Sequence, residues 1–184
     1  KRTAEGVELR VHPTLIPARR LIANVEGAMN AVLVKGDAVG ATLYYGKGAG
    51  AEPTASAVIA DLVDVTRMHT ADPEHRVPHL AFQPDAMVDL AILPISEVVS
   101  SYYLRLRVED RPGVLADVTR ILADDGISIV ALIQREPGEG EEQTDIIMLT
   151  HKTRERNIDT AIAGIESLPA VKDRIIRLRL EELL

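Results

Sequence analysis

The stretch Tyr103–Ala116, with the sequence YLRLRVEDRPGVLA, decides the fold of the second half of this 184-residue chain. Its first part alternates apolar with basic side chains, which is the period of a strand with one buried face: Leu104, Arg105, Leu106, Arg107 and Val108. The Pro112-Gly113 pair then interrupts the strand, and the apolar spacing changes to that of a helix. The stretch therefore predicts a strand that passes through a tight turn into an amphipathic helix.

The residues that follow predict a β-α-β-β-α-β order. The first helix has an apolar stripe, formed by Val114, Leu115, Val118, Ile121 and Leu122, and Gly126 ends it as a C′ glycine. Two strands follow around an acidic turn, at Ile127–Gln134, Pro137–Glu142 and Asp145–Thr150. A second helix carries Ile158, Ala161, Ile162, Ile165 and Leu168, and Ile176–Leu180 alternates as the last strand. We predict a ferredoxin-like fold, an antiparallel sheet with both helices on one face.

The first half has the patterns of a mixed α/β region. Val7–His12 alternates as a half-buried strand, and the runs Ala31–Val34 and Val39–Tyr45 flank the turn at Lys35-Gly36-Asp37 as a hairpin. A helix is predicted from Glu52 to about Arg67, with a proline in its first turn.

Residues 68–100 contain four prolines, which argue against a helix. They predict a linker with a short extended piece at Leu90–Ile95. We therefore expect an α/β fold in three parts: an α/β region over residues 1–67, a linker over 68–100, and a ferredoxin-like domain over 101–184.

Composition excludes several classes of function. The net charge is −7, no basic cluster is present, and only five aromatic residues occur, so a nucleic-acid partner is not expected. The absence of cysteine excludes disulfides, thiolate metal sites and thiol nucleophiles. No apolar run reaches the roughly 18–20 residues of a membrane span. We expect a soluble, cytoplasmic protein, and the start at Lys1 rather than Met favours a piece of a longer polypeptide.

The turn Asp110–Leu115 is the best candidate for a ligand site. It lies between the end of a strand and the start of a helix, where unpaired backbone N–H groups carry partial positive charge. Gly113 has no side chain to block a ligand, so a free carboxylate could bind there. The alternative is an ordinary capped turn with proline near the first helical position.

A second candidate is the glycine-rich segment Gly46–Gly50, which precedes the first predicted helix. Its G-x-G-x-G spacing differs from the G-x-G-x-x-G dinucleotide fingerprint, so a flexible connection is the alternative.

Three histidines lie among the prolines of residues 68–100, namely His69, His75 and His79. This setting predicts exposed loop histidines rather than a metal site. Spacing alone identifies no catalytic constellation.

Two sets of residues resemble a known enzyme family. Asn24–Val32, Gly36–Gly40 and Tyr45–Val58 resemble the end of the catalytic region of bacterial homoserine dehydrogenases. Tyr103–Ala116 is similar to the start of an ACT domain, the amino-acid-sensing module found at the C-terminus of such enzymes. The resemblance covers essentially the whole chain, and it implies a C-terminal fragment of that family.

The resemblance implies an oxidoreductase that interconverts L-homoserine and L-aspartate 4-semialdehyde with NADP or NAD, in threonine and methionine biosynthesis. The family's catalytic residues would lie upstream of Lys1, so no catalytic residue is assigned, and this chain alone is expected to lack activity and a tightly bound cofactor. The cofactor-binding residues implied are Gly48, Ala49, Gly50 and Thr54.

The ACT resemblance implies a regulatory ligand site formed by two segments of the chain. Its residues would be Asp110, Gly113, Val114 and Leu115 in the turn, closed by the strand that contains Ser128 and Ile129. Threonine is the expected effector, acting by feedback inhibition. Such modules pair side by side, which implies a homodimer or homotetramer. The alternatives are a free-standing amino-acid-binding module without catalysis and an ACT fold that serves only for dimerisation.

Overall fold

The computed structural model describes residues 1–71 and 84–183, which form parts of two compact units. One unit comprises Lys1–Ile16 and Leu90–Leu183, and the other comprises Pro17–Asp89. Residues 1–16, which sequence patterns group with the first domain, therefore pack with the C-terminal unit. The described strands and helices are β1 (Thr14–Leu15), β2 (Met29–Gly36), β3 (Gly40–Lys47), α1 (Ala51–Thr70), β4 (Val99–Glu109), α2 (Val114–Asp124), β5 (Ile129–Gln134), β6 (Gln143–Thr150), β7 (Thr153–Arg154), α3 (Glu155–Glu166) and β8 (Ile176–Leu180).

The C-terminal unit confirms the predicted ferredoxin-like fold. Its main sheet has the order β1-β8-β4-β6-β5, and β4 pairs antiparallel with both β6 and β8. The inward face of β4 and the apolar stripes of α2 and α3 form one core, in which these side chains are fully buried: Tyr102, Leu104, Leu106, Val118, Leu122, Met148, Ile158 and Ile165. Each such aliphatic side chain contributes about 1.5–3 kcal/mol by leaving water.

Strand β4 is longer than the predicted Leu104–Val108. It begins at Val99 because the chain downstream supplies partners for its first residues: Val99 pairs with Arg154 of β7, and Ser101 pairs with Leu180 of β8. These partners lie more than fifty residues away in sequence, so local periodicity does not reveal them.

The predicted strand at Val7–His12 is wrong. Val7 alone forms isolated bridges, with Arg2 and with Ile92 of the segment predicted to be extended, whereas the strand that joins the sheet is β1, which pairs parallel with β8. Leu9 and Val11 are exposed and Glu8 is buried, the reverse of the expected faces. Ion pairs hold the polar face inward, since Arg10 lies 3.3 Å from Glu8 and 2.9 Å from Glu181.

The other unit contains the predicted hairpin and helix. Strands β2 and β3 pair antiparallel from Met29–Lys47 to Gly36–Gly40, around a turn at residues 37–39. Helix α1 begins one residue before the predicted start and continues to Thr70, so His69 is helical rather than in a loop. His75 and His79 lie outside the described residues. No residue of α1 is buried.

Candidate functional site

A cleft of about 350 Å³ lies at the end of β4, in the C-terminal unit. Four of the residues predicted to hold a regulatory ligand line it, namely Asp110, Gly113, Val114 and Leu115. The remaining lining comes from neighbouring positions of the turn and from two other strands: Val108, Glu109, Arg111, Pro112, Gln134 and Ile146. The predicted turn is therefore the main wall of a concave site.

Gly113 is the N-cap of α2 and has left-handed backbone angles, with φ 94° and ψ −26°. Residues with a β-carbon seldom adopt this conformation, so glycine is required by the backbone. A β-carbon built there meets no atom within 4 Å, so the space beside Gly113 is open. No side chain caps the helix, which leaves its first N–H groups available to an anion.

Charged and amide side chains form the rim of the cleft. Glu109 lies 2.5 Å from Lys172 and 2.9 Å from Arg111. The hydrogen bond from Lys172, followed by that from Arg111, holds the pKa of the Glu109 carboxyl below its ordinary value, so it is ionised at neutral pH. Across the cleft, the Gln134 amide donates a 3.2 Å hydrogen bond to Asp110.

Gln134 was not predicted, and the predicted Ser128 and Ile129 do not line this cleft within one chain. The βαβ crossover makes β4 and β5 parallel, so the last residue of β5, not its first, reaches the end of β4. The register agrees: Gln134 pairs with Ile146, whereas Ile129 pairs with Thr150. Gln134 lies five residues after Ile129, which places the two residues roughly 16 Å apart along β5. The strand directions of the predicted topology would have identified Gln134 as a residue that lines the cleft.

The glycine segment forms an exposed turn between β3 and α1 in the other unit. Gly50 has a φ of 122° and is the N-cap of α1 without a side-chain cap, and the Thr54 amide donates to its carbonyl oxygen at 3.1 Å. The turn therefore offers bare backbone in front of a helix start. This arrangement fits the close approach of a flat ring or an anionic group, although it does not supply a complete phosphate-binding loop.

Within residues 1–71 and 84–183, no cluster of histidine, aspartate and glutamate is suited to a metal ion. Among the same residues, no helix is long and apolar enough to cross a bilayer.

Comparison with known proteins relates both regions to one family. The homoserine dehydrogenase family model matches residues 1–63, and the ACT domain model matches residues 102–170. The chain is 58% identical over 183 residues to a homoserine dehydrogenase of Pseudomonas aeruginosa and 63% identical over 183 residues to one of Methylobacillus glycogenes. These alignments cover 100% of this chain and 42% and 43% of the relatives.

A solved homoserine dehydrogenase from Thiobacillus denitrificans is 68% identical, with a TM-score of 0.89, and the match covers 100% of this chain and 41% of that one. Over its whole length, the chain is similar to homoserine dehydrogenases. The resemblance predicted from the residues is thereby confirmed. The chain spans about two fifths of the length of the homoserine dehydrogenases it matches.

The two family matches coincide with the two candidate sites. The glycine turn and Thr54 fall inside the homoserine dehydrogenase match, and the cleft falls inside the ACT match. The two candidate sites therefore lie in regions that match two different family models.

Proposed function

We propose that this chain is the C-terminal part of an enzyme that interconverts L-homoserine and L-aspartate 4-semialdehyde with NADP or NAD. The observation that carries the proposal is the identity of 58% and 63%, over the whole chain, to proteins named homoserine dehydrogenase. The match of residues 1–63 to that family does not favour a free-standing sensor module. We expect the chain by itself to lack turnover, because none of its residues matches the family's catalytic motifs.

The cofactor, when bound, supplies the hydride acceptor or donor. On this chain, the backbone of Gly48, Ala49 and Gly50 would lie along it, with Thr54 in the first turn of the following helix. The exposed backbone at Gly50 and its uncapped helix start support this assignment. The test is equilibrium binding of NADPH and NADH to the full-length enzyme with Gly50→Val. We expect weakened cofactor binding and an unchanged ACT cleft.

The cleft would bind an amino-acid effector, with threonine as the expected feedback inhibitor. Its opening beside Gly113 has the features that an α-carboxylate requires, namely free N–H groups and open space. The ionised Glu109 and the carboxylate of Asp110 lie on the same rim and would favour an ammonium group. Regulation then requires that the effector bind one conformation of the enzyme more tightly than another.

A second copy of the chain would complete this site in a homodimer or homotetramer. Strand β5 is an edge of the described sheet, and its Val130 and Ile133 are both 57% exposed. An exposed apolar edge strand favours pairing with another chain. In such a dimer the partner's β5 would bring its Ser128 and Ile129 toward the cleft that lacks them in one chain.

Calorimetric titration of the 184-residue chain with threonine, isoleucine, methionine and lysine tests the regulatory proposal. We expect heat of binding for threonine and its loss in Gly113→Asp, whose carboxylate would occupy the anion position. If none of the four amino acids binds, the cleft is not an effector site for this pathway.

A further inference from the structure

We propose that Asn30 is a positioning residue for the glycine turn, and that Gly48 is a glycine in order to accommodate it. The contact between Asn30 and Gly48 lies within this chain alone, whereas its consequence for a nicotinamide cofactor rests on the proposed function.

The two residues are in direct contact across the hairpin. A β-carbon built on Gly48 lies 2.1 Å from the Asn30 Nδ2 atom and 2.7 Å from its Cγ atom. Real β-carbons essentially never come so close to another heavy atom, so the Asn30 carboxamide occupies the space that a side chain at Gly48 would need. The hairpin register creates this contact, because Asn30 pairs with Gly46, two residues before Gly48.

The backbone conformation of Gly48 does not require glycine. Gly50 has a φ of 122°, and Gly48 is not among the glycines with positive φ. Glycine is therefore needed at these two positions for different reasons. Gly50 adopts an unusual backbone angle, whereas Gly48 leaves room for a neighbouring side chain. The side of Gly48 on which a side chain would lie is therefore filled by Asn30.

Among the described residues, no other role for the Asn30 side chain is visible. Its side chain is exposed, and it makes no hydrogen bond to any residue in the described ranges 1–71 and 84–183. Its carboxamide lies beside Gly48, the first residue after β3, and the Gly48 amide donates a 3.4 Å hydrogen bond to the Ala28 carbonyl oxygen. These two contacts hold Gly48 against β2, two residues before the N-cap of α1, and so determine where the turn leaves the hairpin.

A double-mutant cycle on the 184-residue chain tests the contact without any cofactor. The variants are Gly48→Ala, Asn30→Ala and the two combined, and the readout is the backbone ¹H–¹⁵N shift of Gly48, Ala49, Gly50 and Ala51. We expect Gly48→Ala to move all four resonances in the wild-type background. The effect should shrink several-fold in the Asn30→Ala background, because the nearest contact of the new β-carbon relaxes from 2.1 Å to 3.1 Å.

Gly46→Ala is the matched control, since Gly46 lies two residues before Gly48, near the end of β3, and a β-carbon there meets nothing within 4 Å. We expect it to leave the four resonances in place, and Asn30→Asp, which keeps the shape of the side chain, to do the same. Equal effects of Gly48→Ala in both backgrounds, or turn shifts from Gly46→Ala as large as those from Gly48→Ala, would overturn the assignment.

The functional consequence is measured in the full-length enzyme. Asn30→Ala should raise the KM for the nicotinamide cofactor several-fold while the KM for homoserine stays unchanged, and Asn30→Asp should restore the cofactor KM. An enzyme whose cofactor KM is insensitive to Asn30→Ala refutes the positioning role. Absence of dehydrogenase activity in the wild type refutes the proposed function instead and leaves the result of the double-mutant cycle intact.

Discussion

The Tyr102 hydroxyl donates a 2.6 Å hydrogen bond to the Glu155 carboxylate inside the core of the C-terminal unit. Tyr102 is fully buried, and Glu155 is only 2% exposed. Arg179 donates to both oxygens of the same carboxylate, and Arg177 lies 3.3 Å from it. One buried carboxylate thus joins β4, α3 and β8, and its charge is matched within the fold.

This arrangement predicts loss of stability in acid. Burial by itself would raise the pKa of Glu155, but the hydrogen bonds from Arg179 and Tyr102 outweigh it and hold the pKa below its ordinary value. Because the folded pKa is lower than the unfolded one, the stabilisation is complete above the unfolded pKa, about 4.3, and is lost as pH falls through the folded pKa. Thermal unfolding of the wild type and Glu155→Gln between pH 7 and pH 3 should show a weaker pH dependence in the variant.

Truncation of Glu155 predicts a large loss of stability. Glu155→Ala leaves Arg179 and the Tyr102 hydroxyl without their acceptor, which should cost about 3–5 kcal/mol. Tyr102→Phe removes one hydrogen bond to a charged group and should cost about 1.5–3 kcal/mol. Urea unfolding measures both, with the exposed Glu139→Ala as control. A loss for Glu155→Ala no greater than that of the control would contradict the network.

Gly113 and Gly126 permit a matched test of the cleft. Both have left-handed backbone angles, with φ 94° and 70°, and a β-carbon at either meets nothing within 4 Å. Gly113→Ala and Gly126→Ala should therefore lose a similar amount of stability, about 1–2 kcal/mol. Only Gly113 lines the cleft, so only Gly113→Ala should also weaken threonine binding by calorimetry. Equal loss of binding in both variants would point to general destabilisation.

Mixed dimers test whether Ser128 serves the cleft of a partner chain. Gly113→Asp and Ser128→Ala should each weaken threonine binding in homodimers. If each site combines one chain's turn with the partner's Ser128, a mixed dimer of the two variants has one site with both defects and one with neither. Co-expressed, differently tagged chains should therefore recover about half of the wild-type sites. Ser128→Ala without effect would assign the site to one chain, closed by Gln134.

The lowered pKa of the Glu109 carboxyl depends mainly on Lys172. Lys172→Ala removes the largest cause of the lowered pKa, so the pKa of the Glu109 carboxyl should rise toward its ordinary value. A ¹³C-detected NMR titration of the glutamate carboxyls measures this change. Lys152→Ala, an exposed lysine outside the cleft lining, is the control and should leave Glu109 unchanged.

The C-terminal unit could be predicted well because its segments carry clear periods. The alternation through Leu104–Val108 and the helical stripe after Gly113 depend only on near neighbours, and the structure reproduces both. The same reasoning failed at Val7–His12, where it placed Leu9 and Val11 inside. The structure buries Glu8 instead, beside Arg10, which also forms an ion pair with the distant Glu181.

The candidate cleft was predicted in its turn but not in its opposite wall. Asp110 and Gly113 are recognisable from the strand-turn-helix pattern, whereas Gln134 enters through the parallel direction of β5. The contact between Asn30 and Gly48 was likewise beyond pattern reading, because a glycine in a turn looks the same whether it serves a backbone angle, a ligand or a neighbour.

The order of elements in the C-terminal unit, the glycine at the start of its first helix and the resemblance to a dehydrogenase family could all be read from the sequence alone. Tertiary structure alone decided which polar groups are buried together, such as Tyr102 with Glu155, and which strand end faces the cleft. The physical reason is the separation in sequence of the residues that interact. Strand and helix periods arise from residues a few positions apart. Burial of a charge is favourable only when a partner, often more than fifty residues away, is held beside it.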